Sequence, residues 1–210
     1  MPIFKKMTKE EEVAYRGVQE KEWACFDNAK AFQLLCLVVR LFDFFKVPYH
    51  LEGGTLLGFV RDGGILEWDD DLDVSVPAEF ALRAYVVLKL LAFSGWRVDK
   101  RRMSTFKTVG IKGPRIIKIR DYSRGVFRTG RVYIDVLIKY QEDSACYWQA
   151  KDRLMSVSSK YYEGFDEIEV DGQKFKVPVR FEDYLTEKYG DWRIPVKEWD
   201  CGKDEKTIVE

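Results

Sequence analysis

One histidine in 210 residues, His50, and four cysteines without a C-x-x-C pair among them leave little from which a zinc site is built. Cys25, Cys36, Cys146 and Cys201 are too widely spaced, in too long a chain, for the disulfide framework of a small secreted domain, so reduced thiols that serve packing are expected. An excess of either charge is missing as well: Lys plus Arg and Asp plus Glu number 35 each. That balance argues against a basic nucleic-acid-binding domain, so no nucleic-acid partner is expected and any anion must be held by a local cluster. Long uncharged apolar runs are also lacking. The longest apolar stretch, residues 31–47, carries Gln33, Arg40, Asp43 and Lys46 and reads as a core helix rather than a membrane span. The start, MPIFKKMTKEEE, turns acidic where a signal peptide needs an apolar run, so the expected setting is cytoplasmic. Repeats and low-complexity linkers are absent too.

What is present is a globular composition, 46% hydrophobic and 33% charged, at a length suited to one domain or one domain with an appended lobe. Residues 8–23 are charged and read as a surface helix, and 28–46 as a strongly apolar helix that Pro48 stops. Residues 49–52 form a strand candidate. Gly53-Gly54 breaks it, and Thr55 is placed to cap a turn of helix over TLLGFVRD. The run 72–76, LDVSV, alternates cleanly and reads as a strand closed by Pro77. A helix over 78–93, a strand over 96–99, two β-like runs within 105–121 and a clean strand over 131–138 follow. Residues 145–163 read as a helix, and 165–177 as a hairpin turning at Asp171-Gly172. A helix over 181–189 and an aromatic-rich coil close the chain, with the last ten residues loose. This order predicts an α/β (α+β) domain with a mixed sheet.

The chemistry concentrates in WDDDLDVSV and VYIDVLI. On a strand, residues two apart share a face, so Asp71 and Asp73 point the same way, about 6.5 Å apart between Cα atoms. Leu72, Val74 and Val76 then face the core, and Asp69 and Asp70 fall in the loop. Asp135 repeats the device, with Val132, Ile134, Val136 and Ile138 on the core side. If the two strands are neighbours, three carboxylates meet, and like charges resist ionising side by side unless a cation joins them. All-oxygen ligation suits Mg²⁺ or Mn²⁺. The glycines Gly53 and Gly54 let backbone approach a phosphate, the Thr55 hydroxyl can hold its oxygens, and Arg61 can clamp a second phosphate. Lys118 and Arg120 either reach a phosphate or form a solvated face. His50 reads as structural, and Tyr189, Trp192 and Trp199 as a packed C-terminal clasp.

The segment LEGGTLLGFVRDGGILEWDDDLDVSV closely resembles the signature of the LicD family, which includes the fukutin-type proteins: a GGTLLG…R…G…WDDDxD run. VPVRFEDYLTEKYGDWRIP is similar to the family's closing motif, and Asp135 falls where the family has a further strand carboxylate. The resemblance covers roughly residues 30–199. It departs from many bacterial members at Asp62, where they have His or Lys, and at Glu67, where they have Pro. The resemblance implies a nucleotidyltransferase-like mixed sheet flanked by helices, with residues 1–27 as a helical extension, 28–200 as the catalytic domain and 201–210 as a loose tail. It implies transfer of a substituted phosphate (phosphocholine or a polyol phosphate) from a CDP-linked donor to a sugar hydroxyl of a glycan or glycolipid acceptor, such as teichoic acid or lipopolysaccharide. By the same resemblance Asp71 and Asp73 hold the metal, and Asp135 completes the metal site or acts as base. Gly53, Gly54, Thr55 and Arg61 bind the donor pyrophosphate. A membrane-attached acceptor implies a chain peripheral at the inner face of the membrane or aided by a membrane-associated partner protein. Two alternatives remain open: true nucleotidyl transfer with pyrophosphate release, and a non-catalytic nucleotide-binding protein of the same fold.

Overall fold

The computed structural model describes residues 26–122 and 130–210. The expected surface helix over 8–23, and most of the 1–27 extension, lie outside those residues. Helix α1, Asn28–Phe44, starts where the Asp27 side chain accepts the Lys30 N–H at 2.9 Å, an N-cap that satisfies one free donor of the first turn. Its buried residues, Ala31, Leu34, Leu35, Val38, Val39 and Phe42, recur at helical spacing and form one stripe. The chain turns through Lys46, in the left-handed region, and passes Pro48 into a short strand, β1, His50–Leu51.

Helix α2, Gly53–Arg61, follows, then strand β2, Leu72–Pro77. The expected helix over 78–93 is an α-helical core, α3, Ala81–Leu88, between two 3₁₀ turns. Strands β3, Arg97–Arg102, β4, Pro114–Arg120, and β5, Val132–Glu142, complete the central sheet. Its order is β1-β2-β5-β4-β3, with β2 and β5 parallel and the other pairs antiparallel. The mixed sheet flanked by helices is thus as expected. Within 105–121 there is one strand rather than two, and it opens on Pro114, a place where the missing N–H costs no ladder bond.

Two expectations fail. Residues 145–163 are no helix but a hairpin, β6, Ala145–Ala150, and β7, Arg153–Ser158, turning at Lys151 with φ 51°. The apolar residues of this segment fit either period. The far end of β5 decides for the strand, because Tyr140, Gln141 and Glu142 offer an open edge that pairs with Tyr147, Cys146 and Ala145. Residues 201–210 are not loose either. Ser156 N–H donates to Thr207 at 2.9 Å and Leu154 N–H to Glu210 at 2.8 Å, Met155 bridges Ile208, and Glu205 and Thr207 are buried. The tail satisfies the outer edge of β7, whose backbone groups would otherwise lack partners. The second hairpin, β8, Asp166–Val170, and β9, Gln173–Val177, turns at Asp171-Gly172 as expected, and helix α4, Phe181–Tyr189, matches its expected span.

Candidate active site

Parallel pairing of β2 with β5 sets Asp73 directly opposite Asp135. Neighbouring strands run about 4.8 Å apart, so the two carboxyls leave the same face of the sheet side by side. The row continues: Asp135 pairs with Lys118 on β4, and Lys118 with Asp99 on β3. Lys118 Nζ reaches Asp135 Oδ2 at 2.5 Å. The other oxygen, Oδ1, is buried and has no hydrogen-bond partner among the described residues.

Asp71 joins this group from the residue before β2, with Asp69 and Asp70 beside it. Ligand oxygens of Asp69, Asp70 and Asp71 lie within 4.8 Å of one another. Asp73 and Asp135 are not part of that tight grouping; they stand deeper, on the sheet. Asp71 therefore belongs to both sets, and Asp69, read from the sequence as a loop residue, belongs to the site. Burial, then the charges of Asp135 and Asp69, push the Asp71 carboxyl up to about 7. Burial and the neighbouring Asp71 and Asp135 push Asp73 well above the carboxylate range. Burial pushes Asp69 up to about 6. For Asp135 burial outweighs the opposing pull of Lys118, and its carboxyl too is raised.

The glycines explain themselves here. Gly53 has φ +56°, and a Cβ on it would overlap Asp73 Oδ2; a Cβ on Gly54 would overlap Asp69 Oδ2. The first turn of α2 is pressed against the carboxylates, and only glycine permits that approach. Thr55 does something other than expected. The helix begins before it, with Glu52 as its N-cap, and the buried Thr55 hydroxyl accepts the Asp73 N–H at 2.7 Å. Asp73 O in turn accepts the Glu52 N–H at 3.0 Å. Thr55 thus fixes a site aspartate from behind through its hydroxyl oxygen.

Arg61 lies at the wall of the cavity above the carboxylates. Asp62 grips its guanidinium at two atoms, each at 2.8 Å, Trp192 O accepts from it at 3.3 Å, and it faces the Trp68 ring. The cavity, about 600 Å³, also takes in Lys118, Trp148, Tyr189, Trp192 and Trp199, so the aromatic clasp forms part of its lining. Tyr189 and Trp199 pack edge to face at 5.1 Å.

Sequence reasoning missed a second buried cluster under the same loop. Glu52 is fully buried, with Lys139 Nζ at 2.9 Å, Lys188 Nζ at 3.0 Å, and the hydroxyls of Tyr184 and Tyr162 donating to it. Its Oε1 also accepts the Gly53 N–H at 3.2 Å. Glu205, from the C-terminal tail, reaches Lys188 at 3.3 Å. Burial alone would raise the Glu52 carboxyl, but Lys139 and Lys188 outweigh it and hold it well below the usual range. One signal was available: Lys188 falls on the buried side of α4 with Tyr184 and Leu185, a charge on an apolar stripe. His50, read as structural, is buried and donates from Nε2 to Gly164 O at 2.7 Å.

The model of a protein family described as LicD/FKTN/FKRP, nucleotidyltransferase domain, matches residues 46–180, more than half of the chain. The chain belongs to this family. All of Gly53, Gly54, Asp69, Asp71, Asp73, Lys118 and Asp135 fall inside the LicD match. Over 57 residues the chain is 37% identical to the lipopolysaccharide cholinephosphotransferase LicD of Haemophilus influenzae, a stretch that is 27% of this chain and 19% of that protein. Over 58 residues it is 34% identical to an uncharacterized protein of Rickettsia typhi, again 28% of this chain and 19% of the relative. The match thus spans about a fifth of these relatives' length. The crystal structure of a lincomycin-bound lincosamide antibiotic adenylyltransferase overlaps 76% of this chain and 85% of its own at 16% identity, with a TM-score of 0.45, too distant to bear on chemistry. No helix among the described residues is long and apolar enough to cross a membrane.

Proposed function

We propose that this LicD-family chain transfers a substituted phosphate, of the phosphocholine or polyol-phosphate type, from a CDP-linked donor to a sugar hydroxyl of a cell-surface glycan, with CMP as the other product. Asp71, Asp73 and Asp135 would hold Mg²⁺ or Mn²⁺. One observation carries the reading: half-buried and buried carboxyls crowd one end of β2 and β5, those of Asp69, Asp71 and Asp73 raised by burial and by neighbouring carboxylates, with Asp135 Oδ1 lacking a partner among the described residues. Such a group is costly without a cation, and its all-oxygen donor set fits a hard divalent ion.

When bound, that ion would neutralise charge on the carboxylates and on donor phosphate oxygens. The chain's own residues supply the rest. Thr55 and the Glu52 backbone hold Asp73 in register. Gly53 and Gly54 keep the first turn of α2 close to the carboxylates. Lys118 holds Asp135 and adds a positive charge beside the transferred group, and Arg61 adds another at the cavity wall. If Asp71 and Asp73 alone hold the ion, Asp135 would instead serve as the base that takes the proton of the acceptor hydroxyl as its oxygen bonds to phosphorus and the bond to the CMP oxygen breaks.

The test is a donor screen with CDP-choline, CDP-ribitol, CDP-glycerol and CDP-ethanolamine in Mg²⁺, reading the phosphorus product. CMP release that disappears with a chelator and in Asp73→Asn supports the reading. Pyrophosphate release from a nucleoside triphosphate instead would make the protein a nucleotidyltransferase. Nucleotide binding with no turnover of any donor would make it a binding protein of this fold.

A further inference from the structure

Outside the cavity, the helical segment 78–94 has two apolar faces. One, with Ala81, Ala84, Val87, Leu88 and Leu91, is buried against the sheet. The other carries Leu82, Val86, Leu90 and Phe93, which are 71%, 59%, 42% and 91% exposed. Their spacing, four residues and then four and three, stacks them in one stripe. Phe44, at the end of α1, is 77% exposed nearby: Arg83 of α3 donates to Lys46 O at 3.3 Å, which ties the two helix surfaces together. Single exposed apolar residues are ordinary, but a contiguous stripe of large ones marks an interaction surface.

The charge around the stripe has one sign in excess. Residues 78–94 contain Arg83 and Lys89 against Glu79. The edge strand β3 adds Lys100, on the side of the buried Val98, and its ammonium lies 4.6 Å from the Tyr85 ring, with that of Lys89 at 5.0 Å from the same ring. Arg101 and Arg102 follow, exposed. Asp99, the acid of this strand, is engaged by Arg97 and Arg120. Cations on an edge strand discourage pairing with other sheets, which accounts for β3 by itself. It does not account for the apolar side chains those cations border. An anionic lipid surface matches both, since it attracts the cations and accepts apolar side chains at the boundary of headgroup and acyl chain.

We propose that the stripe Leu82, Val86, Leu90 and Phe93, rimmed by Arg83, Lys89 and Lys100, docks this protein on an anionic lipid membrane. The inference does not rest on the phosphotransfer reading, because vesicle binding is read without turnover, and either can fail while the other stands.

Co-sedimentation of the full chain with phosphatidylcholine vesicles, with and without about 30 mol% phosphatidylglycerol, tests it. Binding is expected with the anionic vesicles and much weaker with the neutral ones. The double variant Leu82→Ser/Phe93→Ser should bind at least about tenfold more weakly, as loss of two inserted apolar side chains requires. Lys100→Glu should weaken binding by about fivefold or more. Both variants change exposed side chains, and unchanged melting temperatures confirm that they fold. Absence of binding to anionic vesicles, equal binding to both vesicle types, or variants that bind like the parent would overturn the proposal. So would concentration-dependent dimerisation, lost in the double variant, from a chain that ignores vesicles, because the stripe would then belong to a second copy.

Discussion

Two buried charged clusters meet at the start of α2, and they are built on opposite principles. On one side of Gly53, Asp69, Asp71, Asp73 and Asp135 crowd together with Lys118 as the cation paired to Asp135, and their carboxyls are raised. On the other side, Glu52 meets Lys139, Lys188 and two tyrosine hydroxyls, Lys188 is shared with Glu205, and the Glu52 carboxyl is depressed. The first carries more acids than cations among the described residues, which is the basis of the proposed metal site. The second balances its charges among described residues, Glu52 and Glu205 against Lys139 and Lys188, although Lys139 Nζ has ion-pair contact with Glu52 and no hydrogen-bond partner among the described residues. Both remove charge from water, but a set whose charges balance serves as architecture, whereas an unbalanced set must hold protons or bind a cation.

The comparison can be broken by mutation. Its largest expected effect is Glu52→Ala, which leaves Lys139 and Lys188 buried without their shared carboxylate and should cost about 3–5 kcal/mol in urea unfolding. A loss below about 1 kcal/mol would show that water or rearrangement satisfies those lysines and that the cluster is not structural. Next comes metal. Adding Mg²⁺ at about a hundredfold over its dissociation constant should stabilise the parent by about 2.7 kcal/mol in thermal unfolding. Asp73→Asn should abolish most of that gain, while Glu205→Gln should retain it.

Smaller again is the effect of Asp73→Asn on the metal-free protein. Removing one of several crowded acids should leave stability unchanged or raise it by about 1–2 kcal/mol, by relief of like-charge repulsion and burial. If this variant loses as much stability as Glu52→Ala, the two clusters are of one kind and the distinction fails. The smallest effect sharpens the second cluster. Thr207 donates to Glu205 at 2.5 Å, and Thr207→Val should cost about 1 kcal/mol, seen as a lower urea midpoint with unchanged slope.

How much of this was readable beforehand follows the range of the forces involved. The helices over residues 28–44 and 181–189 and the turn at Asp171-Gly172 were legible because cap, period and turn chemistry are local. The facing of Asp71, Asp73 and Asp135 was legible because a strand alternates by geometry. The hairpin of β6 and β7 was not, since its apolar residues fit two periods and the deciding partner, the end of β5, arrives from elsewhere in the chain. The tail was misjudged for the same reason: its polar residues look loose until the edge of β7 is there to pair with them. The contact of the Thr55 hydroxyl with Asp73 N–H was not legible, because it exists only after α2 packs on β2.

By itself, then, the sequence determined which residues of this LicD-family protein gather at the candidate site: a Gly-Gly pair, alternating carboxylates and the strands that bear them. The reason is that residue type and backbone period act within a few positions. Tertiary structure alone decided how charge is distributed among them. It set Asp73 across from Asp135, pressed Gly53 against Asp73, and brought Lys139, Lys188 and Glu205 around Glu52. Whether a buried charge is balanced depends on groups far apart in the chain, and no local pattern records that.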